Sequence, residues 1–151
     1  MRSVGKTVPQ KADQRRFKKC VFDEPDRLTC SMDRGTLTED EILSSIRSIA
    51  SGVRGVSFGQ AQKPINVVLK VHFYLKKDRA DPIGRQLFCP LDSIILARLH
   101  EQVSLAEMNE KEFREAQSKI AEQSLPEIRL SLDDNWDKQH LSEEGLLENS
   151  S

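Results

Sequence analysis

Ile65-Asn66-Val67-Val68-Leu69-Lys70-Val71-His72-Phe73-Tyr74-Leu75 is the stretch on which the reading of the fold turns. Val67, Leu69, Val71, Phe73 and Leu75 recur at every second position, with Asn66, Val68, Lys70, His72 and Tyr74 between them. Successive side chains of a strand point to opposite faces, so this alternation predicts a β-strand with one face in a core and the other wet or half covered.

Working outward, Gly59 to Pro64 reads as a loop and Val56 to Phe58 as a short strand before it. Downstream, Asp81-Pro82-Ile83-Gly84 has turn chemistry, with proline pre-setting one φ angle. Gln86 to Cys89 then predicts a return strand. Near the start, Phe17–Phe22 and Leu28–Met32 flank Asp23-Glu24-Pro25-Asp26, which predicts a hairpin. Ile128, Leu130 and Leu132 alternate with polar residues and predict a last strand.

Three helices are expected between these strands. Thr38-Glu39-Asp40-Glu41 has the form of a capping box, in which the Thr38 hydroxyl accepts an orphan amide and Glu41 reaches back. Ile42, Ile46, Ile49 and Val53 follow at helical spacing. Pro90 suits the first turn of a second helix carrying Leu91, Ile95, Leu99 and Val103. Ser104-Leu105-Ala106-Glu107 opens a third, supported by the pairs Glu107–Lys111, Glu110–Arg114 and Glu115–Lys119.

These elements predict an α+β fold: a largely antiparallel sheet of four to six strands with two or three helices on one face. The expected organisation is a basic tail over 1–15, one α+β domain over 16–132, and an acidic tail over 133–151. The expected core is Ile42, Ile46, Ile49, Val67, Leu69, Val71, Phe73, Leu87, Ile95, Leu99, Val103, Ile128 and Leu130.

Hydrophobic residues make up 37% and charged residues 31% of 151, which fits one modest core with long solvated margins. The net charge of −1 gives the whole chain no strong field for a polyanion or an acidic membrane, yet the charge is unevenly spread. Residues 1–19 hold seven cations against Asp13, a net of +6; residues 133–151 hold six acids against Lys138, a net of −5. The three cysteines, Cys20, Cys30 and Cys89, form no disulfide framework. No apolar run approaches a membrane span and no secretory leader is apparent, so a cytoplasmic or nuclear setting is expected. The glycosylation-like Asn149-Ser150-Ser151 is discounted on the same ground.

Chemical motifs are few. Gly55-Val56-Ser57-Phe58-Gly59 matches the nucleophile elbow in letters, but Ser57 is expected to lead into a loop, whereas the elbow requires a helix there. Cys20, Cys30, Cys89, His72, His100 and His140 lack chelating spacing, and Cys30 and Cys89 read as core-facing thiols. No catalytic residue, metal site or cofactor is therefore assigned. Arg2, Lys6, Lys11, Arg15, Arg16, Lys18 and Lys19 are the candidates for phosphate or anion contact, an import signal, or an acidic partner. Lys70, His72 and Tyr74 make a candidate binding strip, and Trp136, Leu141, Leu146 and Leu147 give the acidic tail a peptide-like, partner-docking character.

The expected function is a non-enzymatic interaction or assembly protein, of the adaptor or small viral structural or accessory type, that binds a protein partner or itself. Head-to-tail attraction between copies is one mode. The alternatives are a non-specific nucleic-acid or anionic-surface binder acting through the basic head, and a serine hydrolase acting through Ser57.

Overall fold

Two residues along an α-helix are separated by about 200° of rotation, and that geometry decides what Ile65–Leu75 becomes. A computed structural model describes residues 11–132 and side chains from Gln14 onward. Its elements are α1 (Lys11–Asp33), α2 (Glu39–Gly52), α3 (Phe58–Lys76), a 3-10 helix (Pro82–Gln86), α4 (Ser93–Arg98) and α5 (Glu110–Ser124). The described residues contain no strand, so the expected α+β sheet is corrected to an all-helical fold.

The long "strand" is the body of α3. Ile65, Leu69 and Phe73, spaced by four, are at most 1% exposed. Val67, Val71 and Leu75, also spaced by four, are 40%, 51% and 77% exposed. The two stripes are offset by two residues and lie on nearly opposite sides of the helix. Superposed in one dimension, they produce a period of two. Val67 and Val71 thus leave the expected core.

The amino-terminal hairpin is corrected for the same reason. Leu28 and Met32 are buried at helical spacing in α1, while Cys30 between them is exposed. The helix continues through the buried Pro25. An internal proline costs about 3 kcal/mol, and burial of Phe17, Leu28 and Met32 on the same helix offsets it.

Local signals succeed where capping chemistry is explicit. Thr38 Oγ1 accepts from the Glu41 amide at 3.2 Å and opens α2. The Glu41 carboxylate turns instead to α1, where it accepts from Ser31 Oγ at 2.8 Å. The second helix starts at Ser93, capped by Asp92, and the third at Glu110, capped by Asn109. Glu110 pairs with Arg47 of α2 at 2.6 Å, and Lys119 pairs with Glu101, so these charges tie elements together. Ile128 to Leu132 form turns and a short helical end.

Helix α3 is central, packing against α1, α2 and α5. Phe113 of α5 stands between Phe58 and Phe88, with ring centroids 5.2 and 5.1 Å away. Gly59 allows the close approach of the 105–108 turn, since a Cβ there would lie 2.5 Å from the Leu105 carbonyl oxygen. The remaining expected core residues are buried, except Val103 and Ile128, which pack half-buried against it.

Between α1 and α2, Glu24 accepts from Ser45 Oγ at 2.6 Å and from Arg27 at 2.9 Å. Partial burial pushes its carboxyl up, but the hydrogen bonds from Ser45 and Arg27 and the Arg27 charge outweigh this and hold it below the ordinary 4.5.

Two outcomes follow from this packing. Leu69→Ala lowers stability by about 2–5 kcal/mol, whereas Leu75→Ala costs well under about 1 kcal/mol, both read by urea denaturation; equal losses would restore the one-faced strand. Because the folded carboxyl of Glu24 titrates lower than the unfolded one, its contribution is complete above the ordinary value and fades as pH falls through the folded one. The urea midpoint of Glu24→Gln should therefore rise less between about pH 3 and pH 6 than that of the parent chain; parallel profiles would contradict it.

A candidate docking face on α3

What holds α3 in place begins with a stretch of backbone that has no sheet to join. Leu87, Phe88, Cys89, Pro90 and Leu91 are all buried, and Leu87 and Asp92 at the two ends have extended backbones. Buried backbone amides and carbonyls need partners, and here side chains supply them. Gln117 of α5 accepts from the Cys89 amide at 3.0 Å and donates to its carbonyl at 2.8 Å. Gln62 of α3 does the same at Leu91, with distances of 3.1 and 2.8 Å. The Asn66 side-chain amide donates to Gln62 Oε1 at 3.0 Å and fixes the orientation of that side chain. Arg129 donates to the Leu87 carbonyl at 3.1 Å, reaches Glu39 at 3.0 Å, and lies over the Phe88 ring.

The return strand expected at Gln86 to Cys89 is corrected: Gln86 closes the 3-10 helix, and the buried backbone after it finds its partners in amide and guanidinium side chains. Residues 87, 89 and 91 are engaged in turn, as the period of an extended chain requires. Gln62, Asn66, Gln117 and Arg129 are not among the site residues expected from the sequence. A signal for the first two was present: amides spaced by four beside Ile65 and Leu69 fall on the apolar side of a helix.

With its inner side fixed, α3 presents the other. Val67, Val68, Val71 and Leu75 are 38–77% exposed along successive turns. Lys63, Lys70 and Tyr74 run beside them, each within three or four residues of a stripe valine. The three charged residues of α3 are Lys63, Lys70 and Lys76, and the helix contains no acid. Lys63 also borders an open groove of about 790 Å³ lined by Ser93, Leu96, Glu101 and Leu105. Ile94, next to Ser93, is 65% exposed.

The expected strip Lys70, His72, Tyr74 is divided by the helix. Lys70 and Tyr74 share a flank, with the Lys70 ammonium 5.8 Å and the Arg79 guanidinium 4.6 Å from the Tyr74 ring centroid. The Tyr74 hydroxyl donates to the Leu130 carbonyl at 3.2 Å. His72 turns about 160° to 200° away from both and meets Asp33 at the end of α1, Nε2 to Oδ1 2.7 Å. That hydrogen bond holds the Asp33 carboxyl below its ordinary value.

Arg15, Arg16, Lys18 and Lys19 are exposed on the first turns of α1, around the buried Phe17. Arg15 neighbours Lys18 and Lys19 at spacings of three and four, and Arg16 neighbours Lys19, so the helix gathers them into an exposed basic cluster. Lys11 lies in α1; Arg2 and Lys6, like Trp136, His140, Leu141, Leu146 and Leu147, lie outside the described residues. Ser57 caps α3: its hydroxyl accepts from the Gln60 amide at 3.0 Å and donates to the Leu105 carbonyl. The expected loop after it is the first turns of α3, and among the described residues the partners of that hydroxyl are backbone groups. Cys89 is buried, Cys20 is half-buried, and Cys30 is exposed rather than core-facing. Among the described residues no three His, Cys, Asp or Glu side chains gather as metal ligands, and no helix is long and apolar enough to cross a membrane.

No family model matches this chain, and neither a curated protein nor a solved structure does.

Gln117→Leu keeps the volume but strands the Cys89 amide and carbonyl, at about 1–3 kcal/mol for each group. Thermal melting should fall accordingly, and Gln117→Glu should not restore it, since a carboxylate cannot donate to the carbonyl. An unchanged melting temperature for Gln117→Leu would remove the clamp from the account.

Proposed function

We propose that the protein is a non-enzymatic interaction module whose docking face is the outer side of α3, and that it takes an acidic, amphipathic segment of a partner protein. The observation that carries this reading is the exposed run Val67, Val68, Val71 and Leu75 on a helix whose only charges are lysines. Isolated exposed apolar residues are ordinary. Four within about two and a half turns form a contiguous patch, the kind of surface that marks a contact site.

Affinity would come from burying aliphatic side chains, each of which contributes about 1.5–3 kcal/mol when fully covered. Lys63, Lys70 and Arg79 flank the stripe and would select against basic segments and set the orientation of acidic ones. Tyr74 adds a broad ring with a polar tip, held in place by Leu130 and stacked by Arg79. Such a half-wet aromatic suits the edge of a contact surface. An amphipathic helix laid against such a stripe would engage it at positions spaced by three and four.

The paired substitution Val71→Glu with Leu75→Glu tests the reading in affinity capture from native cells. Partners held by the parent chain should be lost from the paired variant while its circular dichroism and melting temperature stay unchanged. Identical sets of partners from the two chains would contradict it.

A further inference from the structure

We propose that the outer side of the first turns of α1 is a docking surface for an anionic lipid bilayer, with Arg15, Lys18 and Lys19 at the level of the headgroups and Phe22 entering the boundary beneath them. The surface belongs to a different helix from the docking face on α3 and takes a different class of partner.

Helical spacing assembles it. Arg15, Lys18, Lys19 and Phe22 stand at i, i+3, i+4 and i+7, positions that share one side of a helix. All four are exposed, Phe22 by 74%. The other side of the helix is held inward by Phe17, Leu28 and Met32, so the four cannot turn away without unpacking the core. Arg16 lies to one side, near Gly52 at the end of α2, and adds a fourth cation.

Two features set this surface apart. The first is uncompensated charge. Arg27, Arg47, Lys119 and Arg129 each have a carboxylate partner. Arg15, Arg16, Lys18 and Lys19 have none among the described residues. Arg15–Lys18, Arg15–Lys19 and Arg16–Lys19 are like-charged neighbours that oppose the helix carrying them, and a layer of negative headgroups relieves that opposition. The second is the phenylalanine. The chain has six, and Phe17, Phe58, Phe73, Phe88 and Phe113 are buried. The one left in water stands one turn beyond the cations.

The combination selects a bilayer. Phosphates alone would leave Phe22 without a role. Single-stranded nucleic acid is held by several aromatic faces along a basic groove, whereas here one ring stands on the convex side of a helix. A charged membrane needs neither groove nor series of rings. Cations are drawn to its negative surface, and an apolar side chain enters the headgroup boundary. Asp23 and Asp26 are exposed just beyond Phe22, so the contact ends there and the helix meets the surface by its first turns. Binding is therefore weak, reversible and salt-dependent.

The test sediments the full-length chain with vesicles of phosphatidylcholine, either alone or with about one-third phosphatidylserine. The chain should bind the second kind and not the first, and lose that binding as salt rises from about 0.05 to 0.5 M. Lys18→Gln with Lys19→Gln should weaken partitioning about thirtyfold, or about fivefold for each cation. Phe22→Ser should weaken it several-fold, whereas Leu125→Ser, at a similarly exposed apolar residue, should leave it alone. Circular dichroism should be unaltered in all three variants, and the melting temperature of the lysine pair should not fall, because like charges have been removed.

Equal binding to both kinds of vesicle, or binding to neither, overturns the proposal. Binding that survives the lysine pair overturns it too, because the cations responsible then lie elsewhere in the chain. So does binding that Phe22→Ser leaves intact or that Leu125→Ser weakens as much, because Phe22 then has no particular part in it. A single-stranded oligonucleotide that binds through Lys18, Lys19 and Phe22, while vesicles do not, would assign the cluster to nucleic acid and reject the bilayer.

Discussion

Helix α3 can bury only one of its two apolar sides, and the rest of the molecule is arranged around that constraint. Ile65, Leu69 and Phe73 go inward against α1, α2 and α5. The same rigid helix then necessarily carries Val67, Val71 and Leu75 outward, because positions two apart diverge by about 200°. A strand would have placed all six on one face. The exposed stripe is thus a consequence of choosing helix, and the flank of two lysines, Lys63 and Lys70, with Tyr74 comes with it.

The inward choice is fixed by polar as well as apolar contacts. A helical body with an extended segment through its interior has to find partners for backbone groups that no sheet supplies. Gln62 and Gln117 each bond both the amide and the carbonyl of one residue, at Leu91 and Cys89. Such pairing is directional, so it fixes the rotation of α3 and α5 about their axes more sharply than aliphatic packing does. Asn66 and Arg129 extend the same network to its two ends. The orientation of the outer stripe is therefore set from the inside.

Parts of this were legible in the sequence. Thr38 marked the start of α2, and the spacing of Ile42, Ile46 and Ile49 gave its buried side, because capping and a single apolar stripe are local signals. The strand expected at Gln86–Cys89 is not one: Gln86 closes the 3-10 helix, and the backbone after it is partnered by side chains from residues far along the chain, which no local pattern reveals. Ile65–Leu75 misled because two stripes of period four, offset by two, cannot be told from one of period two by apolarity alone. Leu28, Cys30 and Met32 misled in the same way. Lys70 and Tyr74 were legible as part of a surface, but His72 belongs to the α1 contact, and the valines between them were assigned to the core. The error concealed the candidate face, because the residues that form it were the ones expected to be buried.

The proposed docking face and the assignment of the buried side both depend on Ile65–Leu75 being helical. The most direct measurement is the set of backbone carbon chemical shifts across those residues in the full-length chain, by nuclear magnetic resonance. The account predicts helical shifts without interruption from Ile65 through Leu75. Extended shifts over that stretch would contradict it, and with it the division of α3 into a buried and an outer face.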